Sequence, residues 1–527
     1  MSAPGAPALR EARVDPFGTA LLLEGDGVPA RVPLRSLRAG AERDRGRLRI
    51  TGARVTGATR FEAEFSDGAR RLYELAAGAP GAGAARAGAA GAPAAAATVR
   101  AMGPRAAGDL VVRNIGQLVT CAEAFGALRP GAQGPDAVGA VLDAVVVVKE
   151  GVVAWVGRAR DLPADVVPGG AAELDAGGGC VLPGFVDAHD HLVFAGDRAS
   201  EHAARLAGAA YADILKAGGG ILHTVRATRN APAAVLAELA RERLDRLLAC
   251  GVTTSEAKSG YGLERAAEWK ILEVTRALGE AHPVSLVSTF LGAHAVPAEH
   301  RGSDAERAQY VDELCAEQLP ALAADGLARF CDVFVDDGAY TLAEGERILR
   351  AARAAGLALK VHAEEIAPTG AAAMAAALGA TSADHLERLD AAGVAALAAA
   401  GTVAVLLPGT ATVLGLPPPP VAALRAAGVP LALGTDLNPG TCNSENLGLM
   451  VGLACAHFRL SVEEAVLGVT CHAARAIGAE AVAGALAPGR PGDLVVLDAP
   501  DYRHLAYRLG VNLARTVVKE GEVVWGA

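Results

Sequence analysis

The sequence predicts a (β/α)₈ TIM-like barrel, a small β-sandwich domain built from both ends of the catalytic unit, and an N-terminal extension. Short apolar runs alternate with Ala-rich amphipathic segments between about residues 179 and 485, which is typical of repeated βα units. β-like runs flank this stretch on both sides. Histidine and aspartate residues follow several of the apolar runs, where a barrel places its chemistry.

The composition is that of a packed globular chain. Of its 527 residues, 52% are hydrophobic and 20% are charged, and the net charge is −10. This acidic balance gives no sign of a basic groove for nucleic acid. The eight cysteines have no paired short spacing, and no leader-like or long uncharged apolar segment is found. We therefore expect a cytoplasmic protein that does not span a membrane.

Four segments are distinguished along the chain. Residues 1–75 contain short β-like runs with Gly and Asp-Gly breaks, which fit either a small β module or an unfolded extension. Residues 76–108 are almost entirely Ala, Gly and Pro and have the composition of a linker. Residues 109–178 and 486–527 share a hairpin pattern and predict one composite β-sandwich. The barrel is predicted over residues 179–485.

Eight candidate strands lie in the barrel segment. In a closed parallel barrel their C-terminal ends share one rim, where catalytic residues are expected. The candidate strands are 181–186, 252–257, 284–290, 330–335, 357–362, 380–385, 403–407 and 431–435.

A His-x-His motif at the exit of the first candidate strand is the strongest local signal. Strand side chains alternate between faces, so His189 and His191 are predicted to point together into the barrel mouth. His362, His385 and Asp436 each follow or end a further candidate strand. Imidazoles with one carboxylate form the open ligand set of a catalytic metal, whereas any one of these residues alone is more often structural. Five at one predicted rim favour a metal site.

Two glutamates follow His362 directly. A carboxylate beside the attacking water can take its proton and pass it to a leaving nitrogen, and we predict this role for Glu365. Glu364 is predicted to favour the start of the next helix through the helix dipole, which is also the structural alternative for Glu365.

Over residues 109–527 the sequence resembles the imidazolonepropionase family of the amidohydrolase superfamily. The motifs that it shares are Val-Asp-Ala-His-Asp-His-Leu-Val-Phe at 186–194, Gly-Gly-Gly-Ile at 218–221, Lys-Ser-Gly-Tyr-Gly-Leu at 258–263, Phe-Leu-Gly-Ala-His at 290–294, Leu-Leu-Pro-Gly-Thr at 406–410 and Thr-Asp-Leu-Asn-Pro-Gly at 435–440. The resemblance implies a homodimeric enzyme of histidine degradation. It would hydrolyse 4-imidazolone-5-propanoate to N-formimidoyl-L-glutamate with one zinc or iron ion.

The resemblance also implies roles for individual residues. The metal ligands would be His189, His191, His362 and Asp436. The catalytic residues would be Glu365 as general base, His385 beside the attacking water, and His294. The substrate-binding residues would be Arg198, Tyr211, Tyr261, His294, Glu365, Asn438, Gly440 and Thr441. Chemistry supports the role of Arg198, because a guanidinium can bind a propanoate carboxylate with two parallel hydrogen bonds.

Two positions depart from the family pattern. A small neutral residue is usual at the position of Asp190, and Asp is usual at the position of Glu364. Lys258 is not expected to be a carbamylated bridging ligand, because one metal is implied. Two alternatives stay open: another amidohydrolase or deaminase acting on a cyclic amide or amidine, and a non-catalytic barrel that serves as an assembly module. Hydrolysis of imidazolonepropanoate discriminates against the first, and a bound metal against the second.

Overall fold

A computed structural model describes the chain as two units, one N-terminal and one that contains the barrel. The described residues are 8–14, 20–26, 31–33, 50–57, 60–65, 70–76, 98–101, 108–123, 131, 133–208 and 219–526. The predicted substrate-binding residue Tyr211 and the first glycine of the motif at 218–221 lie outside them.

The N-terminal unit contains two small antiparallel sheets in its described residues. Their strands are β1 Ala8–Val14, β2 Ala20–Asp26, β3 Arg31–Pro33, β4 Ile50–Gly57, β5 Arg60–Phe65, β6 Arg70–Ala76 and β7 Thr98–Ala101. The sheet orders are β1-β2-β3 and β4-β5-β6-β7. Strand β7 pairs with β6, so one strand lies within the range whose composition is that of a linker.

The two ends of the second unit join in one sheet, which has eight strands in the described part of the chain. The strands are β8 Leu110–Val119, β9 Ala140–Lys149, β10 Val152–Arg158, β11 Ala172–Asp175, β12 Cys180–Pro183, β21 Leu494–Leu497, β22 Ala514–Lys519 and β23 Glu522–Trp525. The order is β10-β9-β8-β12-β21-β22-β23, with β11 also paired to β8. Strand β12 is parallel to β8 and antiparallel to β21, and thereby connects the two ends of the chain.

The Val-rich strands of this β domain are buried on both faces. Along β9, Val146 and Val148 pack in one apolar cluster, and Val145 and Val147 pack in another. Successive strand residues point to opposite faces, so both faces of β9 are covered. This explains why the strand is a continuous apolar run and does not alternate with polar residues.

In the described residues the barrel consists of eight parallel strands, which confirms the predicted fold. They are β13 Phe185–Asp187, β14 Val252–Lys258, β15 Ser285–Ala293, β16 Phe330–Val335, β17 Ala358–Ala363, β18 Ser382–His385, β19 Val403–Leu406 and β20 Leu431–Leu433, paired in this order. Just beyond β13 and β20 the first and last strands meet. There the N–H of Asp436 donates to the carbonyl of His189 at 2.9 Å, and that of His191 donates to Leu437 at 3.0 Å.

The first predicted strand, 181–186, is wrong in detail because the structure divides it between two sheets. Residues up to Pro183 belong to β12 of the β domain, and Phe185 begins β13 of the barrel. A Cβ at Gly184 would lie 2.2 Å from the Thr253 hydroxyl, so this close crossing has no room for a side chain. In the structure the β domain therefore extends beyond residue 178 to Pro183.

Helices follow most of the barrel strands, and one further helix, α15 His504–Tyr507, follows β21 of the β domain. The others in the described residues are α1 Ala199–Leu206, α2 Ile221–Asn230, α3 Ala233–Ala249, α4 Arg265–Ala281, α5 Asp304–Glu313, α6 Leu319–Asp325, α7 Leu342–Ala354, α8 Ala371–Ala377, α9 Ala391–Ala400, α10 Pro408–Leu414, α11 Val421–Ala426, α12 Leu447–Ala456, α13 Val462–Gly468 and α14 Cys471–Ala476. Helix α3 buries Leu236, Ala240, Leu244 and Leu247, the spacing of one helical face. Within the described ranges, no helix combines the length and apolarity needed to cross a membrane.

Candidate active site

Three imidazoles from the ends of two barrel strands lie close together at the barrel mouth. His189 and His191 follow β13, and His362 lies near the end of β17. One ring nitrogen of each lies within 4.8 Å of the others. The ring centroids of His189 and His362 are 4.5 Å apart, and those of His191 and His362 are 5.6 Å apart. The structure thus brings together three of the four predicted metal ligands.

Asp436 completes this cluster from the last strand. Its Oδ1 lies 3.5 Å from Nε2 of His189 and 3.7 Å from Nε2 of His191. Its Oδ2 accepts a hydrogen bond from the Thr410 hydroxyl at 2.5 Å. Burial raises the pKa of Asp436 to about 7, and a cation at the cluster would favour the ionised carboxylate.

The histidine nitrogens have the chemistry of metal ligands. Nε2 of His189 and both ring nitrogens of His362 are buried without a hydrogen-bond partner in the described part of the chain. Burial lowers the pKa of His189, His191 and His362 well below the usual range, so each ring is neutral and offers a lone pair. An unsatisfied buried polar group costs about 1–3 kcal/mol, which a metal ion would offset. The residues present therefore fit a metal ion.

A buried acid lies beside each of two of these rings, and one of the two acids orients its ring. Nδ1 of His189 donates to Asp384 at 2.7 Å. Nδ1 of His362 lies 3.0 Å from Oδ2 of Asp332 but makes no hydrogen bond to it. Lys258 pairs with both acids, at 2.6 Å from Asp332 and 3.3 Å from Asp384. A carboxylate that accepts Nδ1–H fixes the tautomer in which Nε2 faces a metal, and Asp384 does this for His189.

A buried ion network in the barrel is formed by Glu256, Lys258, Asp332, Lys360 and Asp384. The ammonium groups of Lys258 and Lys360 lie 3.0 Å and 2.7 Å from the Glu256 carboxylate, and both lysine side chains are fully buried. Ion pairing with three carboxylates raises the pKa of Lys258 despite its burial. Sequence reasoning assigned none of these residues to the site. The available signal was the pair of charged residues two apart in β14, which share one face of the strand.

Glu365 lies at the same rim as His385. Its Oε2 is 3.8 Å from Nδ1 of His385. The carboxylate of Asp336 holds the Glu365 loop by accepting the N–H of Glu365, Ile366 and Ala367 at 2.8–2.9 Å. Burial raises the pKa of Glu365 well above the usual glutamate range.

Glu364 serves the helix that follows it. Its carboxylate accepts the backbone N–H of Ala372 at 3.2 Å, in the first turn of α8. The two neighbouring glutamates therefore differ in use, since Glu364 stabilises a helix start and Glu365 lies beside the histidines.

His294 and Tyr261 line the opposite side of the cluster. Nδ1 of His294 donates to the carbonyl of Gly260 at 3.1 Å, and burial lowers the pKa of His294 to about 4. The ring is therefore neutral, and its Nε2 is an acceptor. It stacks on His191 at 5.0 Å, and the Tyr261 ring lies 5.4 Å away.

Arg198 and the turn at 438–441 form another edge of the site. The Arg198 Nε donates to Glu201 at 2.8 Å. A Cβ at Gly440 would lie 2.3 Å from a terminal nitrogen of Arg198. The guanidinium can therefore lie this close to the turn because residue 440 is glycine. Asn438 uses its side-chain oxygen to accept the N–H of Gly440 and Thr441 at 2.8 Å, which folds the turn.

Asp190, which departs from the family pattern, has a side chain directed away from the histidines, as strand alternation predicts. Its carboxylate is fully buried and accepts a hydrogen bond from Ser255 at 3.2 Å. Sequence reasoning also missed Glu387, which is 5% exposed and follows His385 by two residues.

The chain matches the amidohydrolase family over residues 197–525. Solved structures share the fold at low identity. A triazine hydrolase from Arthobacter aurescens superposes with a TM-score of 0.60 at 17% identity, covering 80% of this chain and 95% of that chain. An adenosine deaminase from Xanthomonas campestris with bound zinc has a TM-score of 0.53 at 21% identity, covering 79% and 92%. The family match and the fold together place this chain in the amidohydrolase family.

Curated relatives give the narrower family. An imidazolonepropionase from Polaromonas sp. is 49% identical over 398 residues, which are 75% of this chain and 92% of the relative. That of Cupriavidus pinatubonensis is 51% identical over 385 residues, which are 73% and 90%. That of Myxococcus xanthus is 49% identical over 417 residues, which are 79% and 97%. This chain belongs to the imidazolonepropionase family and is a hydrolase.

Proposed function

We propose that this chain hydrolyses 4-imidazolone-5-propanoate to N-formimidoyl-L-glutamate in histidine degradation. The observation that supports this chemistry is the convergence of three neutral imidazoles and Asp436 beside Glu365. Water adds to the ring carbonyl carbon, and the bond from that carbon to the ring nitrogen breaks. The carbonyl becomes a carboxylate, and the nitrogen leaves with a proton as part of an amidine.

The proposed metal ligands are His189, His191, His362 and Asp436. Zinc and iron both accept nitrogen and oxygen ligands, and we propose one ion of either kind. When bound, such an ion lowers the pKa of a water molecule and polarises a carbonyl. The Asp384 carboxylate holds the Nδ1 proton of His189 and so keeps Nε2 free for the ion.

Glu365 is the proposed general base. It takes a proton from the attacking water and passes it to the leaving nitrogen. Burial raises the pKa of this carboxyl, which suits a group that must hold the proton between the two transfers. His385, whose Nδ1 lies 3.8 Å from Oε2 of Glu365, is proposed to orient the water.

His294 is proposed to bind the ring. Because its Nδ1–H donates to Gly260, the neutral imidazole offers Nε2 as an acceptor, which suits a ring N–H better than the carbonyl oxygen.

Arg198 is proposed to bind the propanoate carboxylate with its terminal guanidinium nitrogens. Its Nε is held by Glu201, which fixes the direction of the fork. Gly440 leaves the space that the guanidinium occupies, and Asn438 and Thr441 shape the turn beside it. Tyr261, together with Tyr211, is proposed to offer a hydroxyl to the same end of the substrate.

The decisive experiment is hydrolysis of imidazolonepropanoate by the purified protein before and after chelation, with bound metal measured in parallel. We expect activity that is lost on chelation and restored by zinc or iron. Arg198→Ala should raise KM about tenfold to a hundredfold with little change in kcat, because a charged hydrogen bond to substrate is worth roughly 1.5–3 kcal/mol. Arg241→Ala is the control, since this arginine pairs with Glu238 and Asp245 on α3.

Other outcomes separate the alternatives. Bound metal without hydrolysis of this substrate would favour another amidohydrolase or a deaminase. A protein with neither metal nor activity would favour the non-catalytic module. Assembly as a homodimer and a cytoplasmic location stay predictions from the sequence.

A further inference from the structure

Glu387 is a buried carboxyl at the barrel mouth to which the proposed mechanism gives no role. It follows strand β18 by two residues, and the residue is 5% exposed. Neither carboxyl oxygen accepts a hydrogen bond from another residue in the described part of the chain. Burying a carboxyl without hydrogen-bond partners costs free energy, so a ligand that donates hydrogen bonds to these two oxygens would offset that cost.

The backbone before Glu387 has an unusual conformation. His385 and Leu386 have φ of 78° and 76°, in the left-handed region that residues other than glycine rarely adopt. Each such residue costs about 1–3 kcal/mol and persists only where the surroundings enforce it. Strain of this kind is common where a side chain must be aimed at a ligand.

Hydrogen bonds fix this loop against the loop that contains Glu365. The N–H of Leu386 donates to the carbonyl of Ala363 at 3.1 Å, and the N–H of Arg388 donates to Glu364 at 2.7 Å. Glu387 therefore lies beside Glu365, and its charge contributes to the raised pKa of that carboxyl. Burial raises the pKa of Glu387 itself to about 8, and a cationic amidinium beside it would favour the ionised carboxylate, in which both oxygens accept.

Nearby carboxyls are occupied by the protein itself. Asp336 accepts three backbone N–H groups, and Glu364 accepts the N–H of Ala372. Unlike these carboxylates, Glu387 therefore keeps oxygens that are available to a small molecule at the same rim.

We propose that Glu387 binds the N–C–N unit of the ligand, which is a cyclic amidine in the substrate and an open formamidine in the product. This inference rests on the proposed function. Ring opening leaves an amidine whose two nitrogens carry N–H groups, and a carboxyl with two free oxygens is their natural complement. Arg198 would bind the propanoate end, so the two residues would select molecules that have both groups.

The test compares two inhibitors of the metal-loaded protein. N-formimidoyl-L-glutamate and N-formyl-L-glutamate differ only in the amidine nitrogen, which is an oxygen in the second. The wild-type protein should bind the first at least about tenfold more tightly. Glu387→Gln should reduce this ratio by about tenfold, because the neutral amide cannot accept two N–H groups. Glu364→Gln is the matched control and should keep the wild-type ratio.

Two results would overturn the proposal: equal affinity of the wild-type protein for both inhibitors, or an unchanged ratio in a folded Glu387→Gln variant. If that variant does not fold, Glu387→Asp withdraws the oxygens by one methylene, and an unchanged ratio in it is equally contrary. Failure of the wild-type protein to hydrolyse imidazolonepropanoate would contradict the proposed function, whereas a lower ratio in the variant would still support amidine binding by Glu387.

Discussion

Two groups of buried polar side chains lie next to each other in the barrel, and they differ in how completely they are paired. In the ion network, Lys258 lies within 3.3 Å of three carboxylates, and Lys360 donates to Glu256 at 2.7 Å. At the rim, His189, His362 and Glu387 keep buried atoms without a partner among the described residues. The paired group supports structure, and the unpaired group indicates where ligands bind.

The two groups should therefore respond differently to substitution. Removing one partner from a buried ion pair leaves an uncompensated charge and is strongly destabilising. Replacing a rim group removes an unsatisfied atom, so it should affect ligands and catalysis far more than the stability of the metal-free protein.

The largest expected effect is on turnover at the rim. Glu365→Gln should lower kcat by roughly 10²–10⁴-fold, the usual contribution of a general base, while the metal stays bound. Steady-state kinetics with metal analysis measures both quantities. Glu364→Gln is the control, because its oxygens serve a helix start, and it should keep most of the turnover. Equal losses in the two variants would remove Glu365 from the mechanism.

A smaller effect is expected on stability in the ion network. Lys258→Met should lower the free energy of unfolding of the chelated protein by about 3–5 kcal/mol, because three buried carboxylates lose their shared cation. Urea denaturation measures this loss. His362→Gln under the same conditions should cost less than Lys258→Met, because it leaves no buried charge without its counter-ion. Similar losses in both variants would contradict the division into supporting and ligand-binding groups.

The smallest effect is expected at a solvent-facing pair. Arg307 donates to both oxygens of Glu344, and this hydrogen bonding lowers the pKa of Glu344 to about 2. A folded pKa below the unfolded one adds stability above about pH 4.5, the ordinary value, and this stability is lost as the pH falls towards 2. Because the pair is partly exposed, Glu344→Gln should cost less than about 1 kcal/mol at pH 7.

Urea unfolding of the wild-type protein and this variant at pH 7 and pH 3 checks the sign. The difference between them should be smaller at pH 3, and a larger difference there would be contrary to the assignment.

Much of the fold and part of the site could be predicted from local pattern. Eight barrel strands were expected and eight are present among the described residues. His189 and His191 lie two apart, so strand alternation predicts a shared direction, although in the structure both residues lie just beyond β13. The same period could have identified Glu256 with Lys258 in β14, and Lys360 with His362 in β17, as residues that share one face of their strand. Glu387 gave no such signal, because it lies beyond its strand in an irregular loop.

The sequence by itself determined the order of the elements, the rim at which the polar residues lie and the metal-binding types among them, because each follows from short-range periodicity and side-chain chemistry. Only the tertiary structure decided the division of the first strand at Gly184, the closure of the barrel and the pairing of each acid. Asp187 accepts the N–H and the hydroxyl of Thr435, 248 residues away. Contacts of this range depend on packing of the whole barrel, about which a local pattern holds no information.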